Sequence, residues 1–294
     1  MSSRAFGYLL LSLAMMTVGS TVIASKLIVG SMPPFLATTF RFAVALPVLI
    51  ALTFWLRERW PRLTRSDWLL LLLQAGAGSV GYTTLLISGL AHLSAADAGV
   101  IIGTLPAISA LFSVIVLGER PGFRLLLSVL LATIGVMAVA WKGAGPSSFT
   151  GTLFLLGAVI CESAFILLNK RMPVPLRPLL QATTMTALGL MVSLPIAFFE
   201  LPMAAPSSAA IAAVVWYALV PTVGGFLLWY GGVARVSGSE AATLTAVAPL
   251  TAVALAALVL GEQIGVAQAL GVTAVILGIL VLTIPTWVKN GPQD

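Results

Sequence analysis

Residues 94–139 read SAADAGVIIGTLPAISALFSVIVLGERPGFRLLLSVLLATIGVMAV, and residues 237–282 read SGSEAATLTAVAPLTAVALAALVLGEQIGVAQALGVTAVILGILVL. The two stretches align without a gap, 143 positions apart. Ser94, Ala98, Pro106, Leu117, Gly118, Glu119, Gly122, Leu127, Val129 and Gly135 recur as Ser237, Ala241, Pro249, Leu260, Gly261, Glu262, Gly265, Leu270, Val272 and Gly278, and Asp97 is answered by another acid, Glu240. A looser copy precedes them. Gly81 matches Gly224 and Gly89 matches Gly232 at the same offset, while Gly7 with Gly151 and Lys26 with Lys170 match at 144. The chain therefore reads as one unit of about 143 residues written twice, 1–143 and 144–294. A repeat of membrane helices is the sequence sign of a transporter.

That these are membrane helices follows from composition. Of 294 residues, 60% are hydrophobic and 8% charged, against roughly 45–50% and about 25% in soluble domains. A bilayer core of ~30 Å takes about 20 apolar residues per helix. Hydrocarbon offers no water to unpaired backbone groups, and these runs lack the alternation of membrane strands, so the spans are helical. The single cysteine, Cys161, allows no intramolecular disulfide. A net charge of +6 would suggest nucleic acid in a soluble chain; here its placement matters more than its sum.

Breaks at charge, Pro and Gly clusters give ten spans, at approximately 5–25, 34–56, 68–90, 95–117, 123–141, 151–169, 177–199, 209–231, 239–260 and 265–285. The expected fold is an all-α polytopic membrane protein whose ten helices form two five-helix repeats. An odd number of spans per unit inverts the second copy, about an axis in the membrane plane. With a cytoplasmic N-terminus, Arg4, Arg57, Arg59, Arg62, Arg65, Arg120, Arg124, Lys170, Arg171, Arg177, Arg235 and Lys289 fall inside, and only Lys26 and Lys142 outside. Twelve against two is a strong positive-inside bias, placing both termini in the cytoplasm and the chain in the plasma (inner) membrane. The first span is not expected to be a cleaved signal peptide. Its n-region carries only Arg4, and losing it would break the duplication.

Catalytic constellations are missing from the pattern. His92 is the only histidine and falls in a connection; the nine acids are scattered; there is no GxxxxGK[ST] loop. No enzyme activity, cofactor or metal is expected, nor any nucleic-acid partner. The expected partners are a small-molecule substrate and the lipid bilayer, with the chain possible as a monomer.

Charge inside a membrane is rare and therefore informative. Glu162 lies about eleven residues into span six, roughly 17 Å deep at 1.5 Å per residue. It reads as a contact for a substrate amine, as a protonatable carboxylate, or as a neutral acid bonded to a neighbouring helix. Arg41, some seven residues inside span two, reads as an attractor of an anionic substrate group or as a structural residue paired with a carboxylate or backbone carbonyls. Lys26 can snorkel to the interface. Pro106 and Pro249 occupy matching points in spans four and nine, where each removes a backbone hydrogen bond and kinks its helix, as a hinge lining a cavity or as static curvature. In Gly118-Glu119 and Gly261-Glu262, glycine ends one helix and the acid stabilises the N-terminus of the next.

Spans three and eight carry the content of a pocket wall: Gln74, Ser79, Tyr82, Thr83 and Thr84 against Trp216, Tyr217, Thr222, Trp229 and Tyr230. Trp216 and Trp229 read equally as interfacial aromatics. In span one, Thr17, Ser20 and Thr21 put hydroxyls on one stripe, facing the pocket or bonding back to their own helix. The candidate substrate-binding set is Thr17, Thr21, Ser79, Tyr82, Glu162, Tyr217 and Trp229.

Lys26 closing span one, the Pro33-Pro34 turn, Arg41-Phe42, Pro106 ahead of Leu117-Gly118-Glu119, and Gly135 together resemble the EamA group of the drug/metabolite transporter superfamily. The resemblance covers essentially the whole chain. It implies a ten-helix inverted-repeat fold with a central cavity, and export of small metabolites. Whole-chain likeness to amino-acid exporters of that group implies neutral and aromatic amino acids as substrates. The second copy departs from the pattern at Met185, where Arg41 would recur, and at Gln263 in place of Arg120. The alternatives are efflux of other metabolites or drugs, and, from another class, a membrane enzyme or lipid-handling scaffold.

Overall fold

The computed structural model of the protein describes residues 3–117, 122–142, 146–173, 176–201, 204–236, 241 and 244–283, and all regular structure among them is helical. The helices are α1 (Ser3–Ile28), α2 (Pro34–Trp55), α3 (Arg65–Gln74), α4 (Tyr82–Leu90), α5 (Ala95–Ile102), α6 (Leu105–Leu117), α7 (Phe123–Lys142), α8 (Pro146–Lys170), α9 (Pro178–Ala197), α10 (Ser208–Tyr217), α11 (Phe226–Val233), α12 (Val247–Leu260) and α13 (Val266–Thr283). Two wide π-helical segments, Ala75–Gly81 and Ala218–Gly225, join α3 to α4 and α10 to α11. They stand at matching points of the repeat.

Local chemistry sets most of these boundaries. Pro34 and Pro178, with no N–H to lose, open α2 and α9. Ser94 and Ser207 cap α5 and α10 by accepting the Asp97 and Ala210 amides, and Thr64 with Asp67 forms a capping box on α3. Gly261, at φ +66°, ends α12 in the left-handed conformation that costs glycine nothing.

Among the described residues, eight stretches are long and apolar enough to cross a membrane: Ser3–Ile28, Pro34–Trp55, Arg65–Leu90, Ala95–Val116, Phe123–Ala140, Ser148–Asn169, Pro178–Glu200 and Ser208–Val233. The expected ninth and tenth spans are shorter apolar helices, Val247–Leu260 and Val266–Val281. Rather than bending one continuous helix, Pro106 and Pro249 sit at the starts of α6 and α12, just after breaks at Gly103-Thr104 and Thr245-Ala246. The two breaks approach each other, since a Cβ on Gly103 would lie 2.9 Å from Cβ of Pro249.

Contacts between the halves follow the repeat. α2 packs on α9 and α7 on α13, each helix against its own copy, and α5 packs on α12, the copy of its neighbour α6. α1 packs on α11 and α12, and its copy α8 packs on α4 and α6. Glycine makes these approaches close. A Cβ on Gly89 would come within 2.7 Å of Leu155 Cγ and 3.2 Å of the Gly151 carbonyl oxygen. The matching Cβ on Gly232 would come within 2.5 Å of Leu11 Cγ and 3.1 Å of the Gly7 oxygen. The first seam lies where α4 ends and α8 begins, beside Lys26. The second lies where α1 begins and α11 ends, at the opposite end of the bundle.

Candidate functional site

The two wide segments carry the polar residues of spans three and eight to mid-bundle, and α2 delivers Arg41 between them. Arg41 Nη1 donates to Thr83 Oγ1 at 2.6 Å, and Nε donates to Thr222 Oγ1 at 2.9 Å. Both hydroxyls are anchored in turn. Thr83 donates to the Ser79 carbonyl and Thr222 to the Tyr217 carbonyl, each at 2.9 Å. The guanidinium carbon stands 4.1 Å from the centre of the Tyr217 ring and 5.0 Å from that of Phe42, a cation–π arrangement that offsets the loss of water. Arg41 therefore pairs with hydroxyls and rings, where a carboxylate or backbone carbonyls were expected. Of its five N–H donors, three have no protein partner among the described residues.

Glu162 comes from α8, in the other half. Arg41 and Tyr82 are its electrostatic neighbours. No hydrogen bond or ion pair engages its carboxylate among the described residues, and the residue is half-buried rather than sealed. The Tyr82 phenol stands beside Thr21 in the same cluster. The arrangement brings a guanidinium and a carboxyl group into electrostatic reach of each other, walled by two tyrosines, with donors and acceptors left over.

The remaining candidates divide. Thr17 and Thr21 each donate back to their own helix, at 2.7 Å to the Ala14 and Val18 carbonyls. Ser79 reaches the cluster through its carbonyl, as the acceptor for Thr83. Trp229 lies two turns beyond Thr222, half-buried and without a hydrogen bond to the cluster. Exposed Trp216 donates to Ser20 at 3.1 Å. Met185, at the position matching Arg41, is buried with Leu71, Ala75 and Leu176.

Lys26 is half-buried. Its ammonium donates to the Leu90 and Leu93 carbonyls, both at 2.7 Å, closing the C-terminal end of α4. Glu262 acts as a cap, but of a different helix from the one expected. Its two oxygens accept the Ala95 and Ala96 amides at 2.8 and 2.9 Å, at the N-terminus of α5 in the first half. The start of α13 is served instead by Gln268, which accepts the Gly265 amide and donates to Asp97. Glu119 lies outside the described residues.

Two apolar grooves, of about 500 Å³ beside Ile211 and Trp216 and about 730 Å³ between α7 and α13, lie on the flanks. Neither is lined by Arg41, Tyr82 or Glu162.

An all-helical membrane body with an arginine and a glutamate at its centre has the construction of a multi-pass membrane transporter. The EamA-like transporter family matches the chain twice, over residues 5–141 and 149–284, and the chain belongs to that family. It is 33% identical to the uncharacterized transporter YetK of Bacillus subtilis (strain 168), over 94% of this chain and 86% of that one. It is 24% identical to the uncharacterized transporter YyaM of the same organism, over 89% and 88%. A solved crystal structure superposes with a TM-score of 0.69 at 21% identity, covering 96% of this chain and 99% of its own, a likeness of fold.

Proposed function

We propose that this transporter exports neutral and aromatic amino acids from the cytoplasm by alternating access. In this reading ten spans form two inverted five-helix repeats, 1–143 and 144–294, in the plasma membrane with both termini cytoplasmic. The halves rock about a central site, and the breaks ahead of Pro106 and Pro249 serve as the flexible points. The matching glycine seams at opposite ends of the bundle support the inversion, and the distribution of basic residues supports the orientation.

The observation that carries the substrate class is the placement of Arg41 and Glu162 within electrostatic reach of each other. The free donors of Arg41 suit a carboxylate, the free carboxylate of Glu162 suits an ammonium, and Tyr82 and Tyr217 suit the apolar body of the ligand. A phosphorylated substrate would call for more than this one guanidinium.

The test is uptake of radiolabelled phenylalanine, tryptophan, threonine and methionine into liposomes holding the pure protein, with and without a pH gradient. Saturable uptake that Glu162→Gln abolishes is the expected result. Normal transport by Glu162→Gln at every pH removes Glu162 from the site. No movement of any amino acid by demonstrably folded protein overturns the substrate class.

A further inference from the structure

Glu200 ends the short turn Phe198–Glu200 that follows α9. Its carboxylate crosses to the first half, where Oε1 accepts the Phe35 amide at 3.3 Å and Oε2 the Leu36 amide at 2.7 Å. These are the first free amides of α2, because Pro34 has none. Beside them Ser31 Oγ donates to Ser207 Oγ at 3.1 Å and accepts the Ser207 amide at 2.8 Å, another bond between halves. With Glu262 on Ala95 and Ala96, a second-half carboxylate sits on a first-half helix N-terminus twice at this one end of the bundle.

The repeat writes the same parts at the other end. Glu58 precedes Glu200 by 142 positions, and Pro178, Leu179 and Leu180 follow Pro34, Phe35 and Leu36 by 144. There the acid is engaged elsewhere. Glu58 Oε2 accepts Arg177 Nη1 at 3.0 Å, the arginine side chain being 73% exposed, and among the described residues no carboxylate reaches the Leu179 or Leu180 amide. One set of parts is seated and its copy is not.

From this asymmetry we propose that Glu200 and Glu58 are alternating latches, one for each end of the transport path. With the Lys26 end closed, Glu200 holds α2 and Glu58 rests on Arg177. With the opposite end closed, Glu200 releases Phe35 and Leu36, and Glu58 leaves Arg177 for Leu179 and Leu180. The chemistry suits a reversible closure. A carboxylate is drawn to the positive end and unpaired amides of a long helix, yet both sides regain water when the ends part, so neither state becomes a trap. The proposal rests on the alternating-access reading but not on the substrate.

The test uses the full chain in liposomes with Cys161→Ser, Ser31→Cys and Ser207→Cys, and reads the rate of oxidative cross-linking between positions 31 and 207. That rate reports how often the Lys26 end is closed. Glu200→Gln is expected to slow it about tenfold, the scale of a bond to a charged group. Arg177→Gln frees Glu58 to seat at the far end and is expected to slow it about two- to fivefold, the scale of an exposed ion pair. Adding Glu58→Gln to Arg177→Gln is expected to restore the starting rate. An unchanged rate in Arg177→Gln, or a slowed rate that persists in the double variant, overturns the latch and leaves Glu200 as a static cap. Restoration of the rate in a protein that moves no amino acid would keep the latch and discard the substrate.

Discussion

A close approach between helices gives a sharp test of the packing. In Gly89→Ala the new methyl would stand 2.7 Å from Leu155 Cγ, about 1 Å inside the ~3.5–4.0 Å at which two carbons sit comfortably. Leu155 cannot yield, because it is 0% exposed and surrounded by Val22, Ile23, Leu86 and Leu90. The Gly151 carbonyl oxygen, 3.2 Å from the same Cβ, is backbone and equally fixed. α4 must move off α8, at a cost of about 1–3 kcal/mol for overpacking. Gly232→Ala, with its methyl 2.5 Å from Leu11 Cγ, carries the same penalty at the other end. Gly76→Ala is the control, because a Cβ there meets nothing within 4 Å, and a helical alanine gains up to about 1 kcal/mol over glycine. Thermal unfolding in detergent should show both seam variants losing several degrees, at about 2–4 °C per kcal/mol, and Gly76→Ala losing none. Equal Tm values across all three would refute the assignment of these glycines to close helix contact.

Thr222→Val keeps the shape of the side chain but leaves Arg41 Nε unpartnered. KM for phenylalanine uptake should rise about tenfold or more, at about 1.5–3 kcal/mol for a bond to a charged group, with the folded yield unchanged. Thr83→Val should act in the same direction through Nη1, and a silent result in both would remove the hydroxyls from the support of Arg41. Lys26→Met strips two bonds from the end of α4 and should lower Tm, whereas Lys26→Arg, which retains donors there, should recover most of the loss. Glu262→Gln keeps one acceptor for the Ala95 and Ala96 amides and should cost about 1 kcal/mol, read in the same unfolding assay.

The helical membrane body and the duplication could be read from the sequence, because hydropathy and a gap-free repeat are properties of the chain order itself. Arg41 and Glu162 stood out for a related reason, since a costly residue at membrane depth stays visible without a structure, and Tyr82 as an aromatic at mid-span. Their partners did not. Arg41 bonds to Thr83 and Thr222, 42 and 181 positions away, and no local rule selects two threonines among so many. Glu262 shows the limit of local reasoning. An acid just past a helix end is expected to serve the next helix, yet its carboxylate reaches Ala95 and Ala96, 167 and 166 positions away, because the inter-half contact brings that N-terminus closer. Glu200 and Glu58 went unremarked because interfacial acids are ordinary until their partners are seen. The wide segments had a partial signal in the glycines of Ala75–Gly81 and in Pro221, Gly224 and Gly225 of Ala218–Gly225, but glycine alone does not separate a widened turn from close packing.

Neither central charge is duplicated. Met185 replaces Arg41 in the second half, and Val18 and Gly19 stand where Glu162 would recur in the first. Had both been copied, a ligand with a positive and a negative end could lie either way round, with a degeneracy worth only about 0.4 kcal/mol, RT ln 2. On the proposed amino-acid reading, with one of each, the ligand has a single head-to-tail orientation. Its head-to-tail direction is then fixed in the protein frame while the two entrances exchange. On that reading a zwitterion arriving from either side of the membrane is bound the same way round.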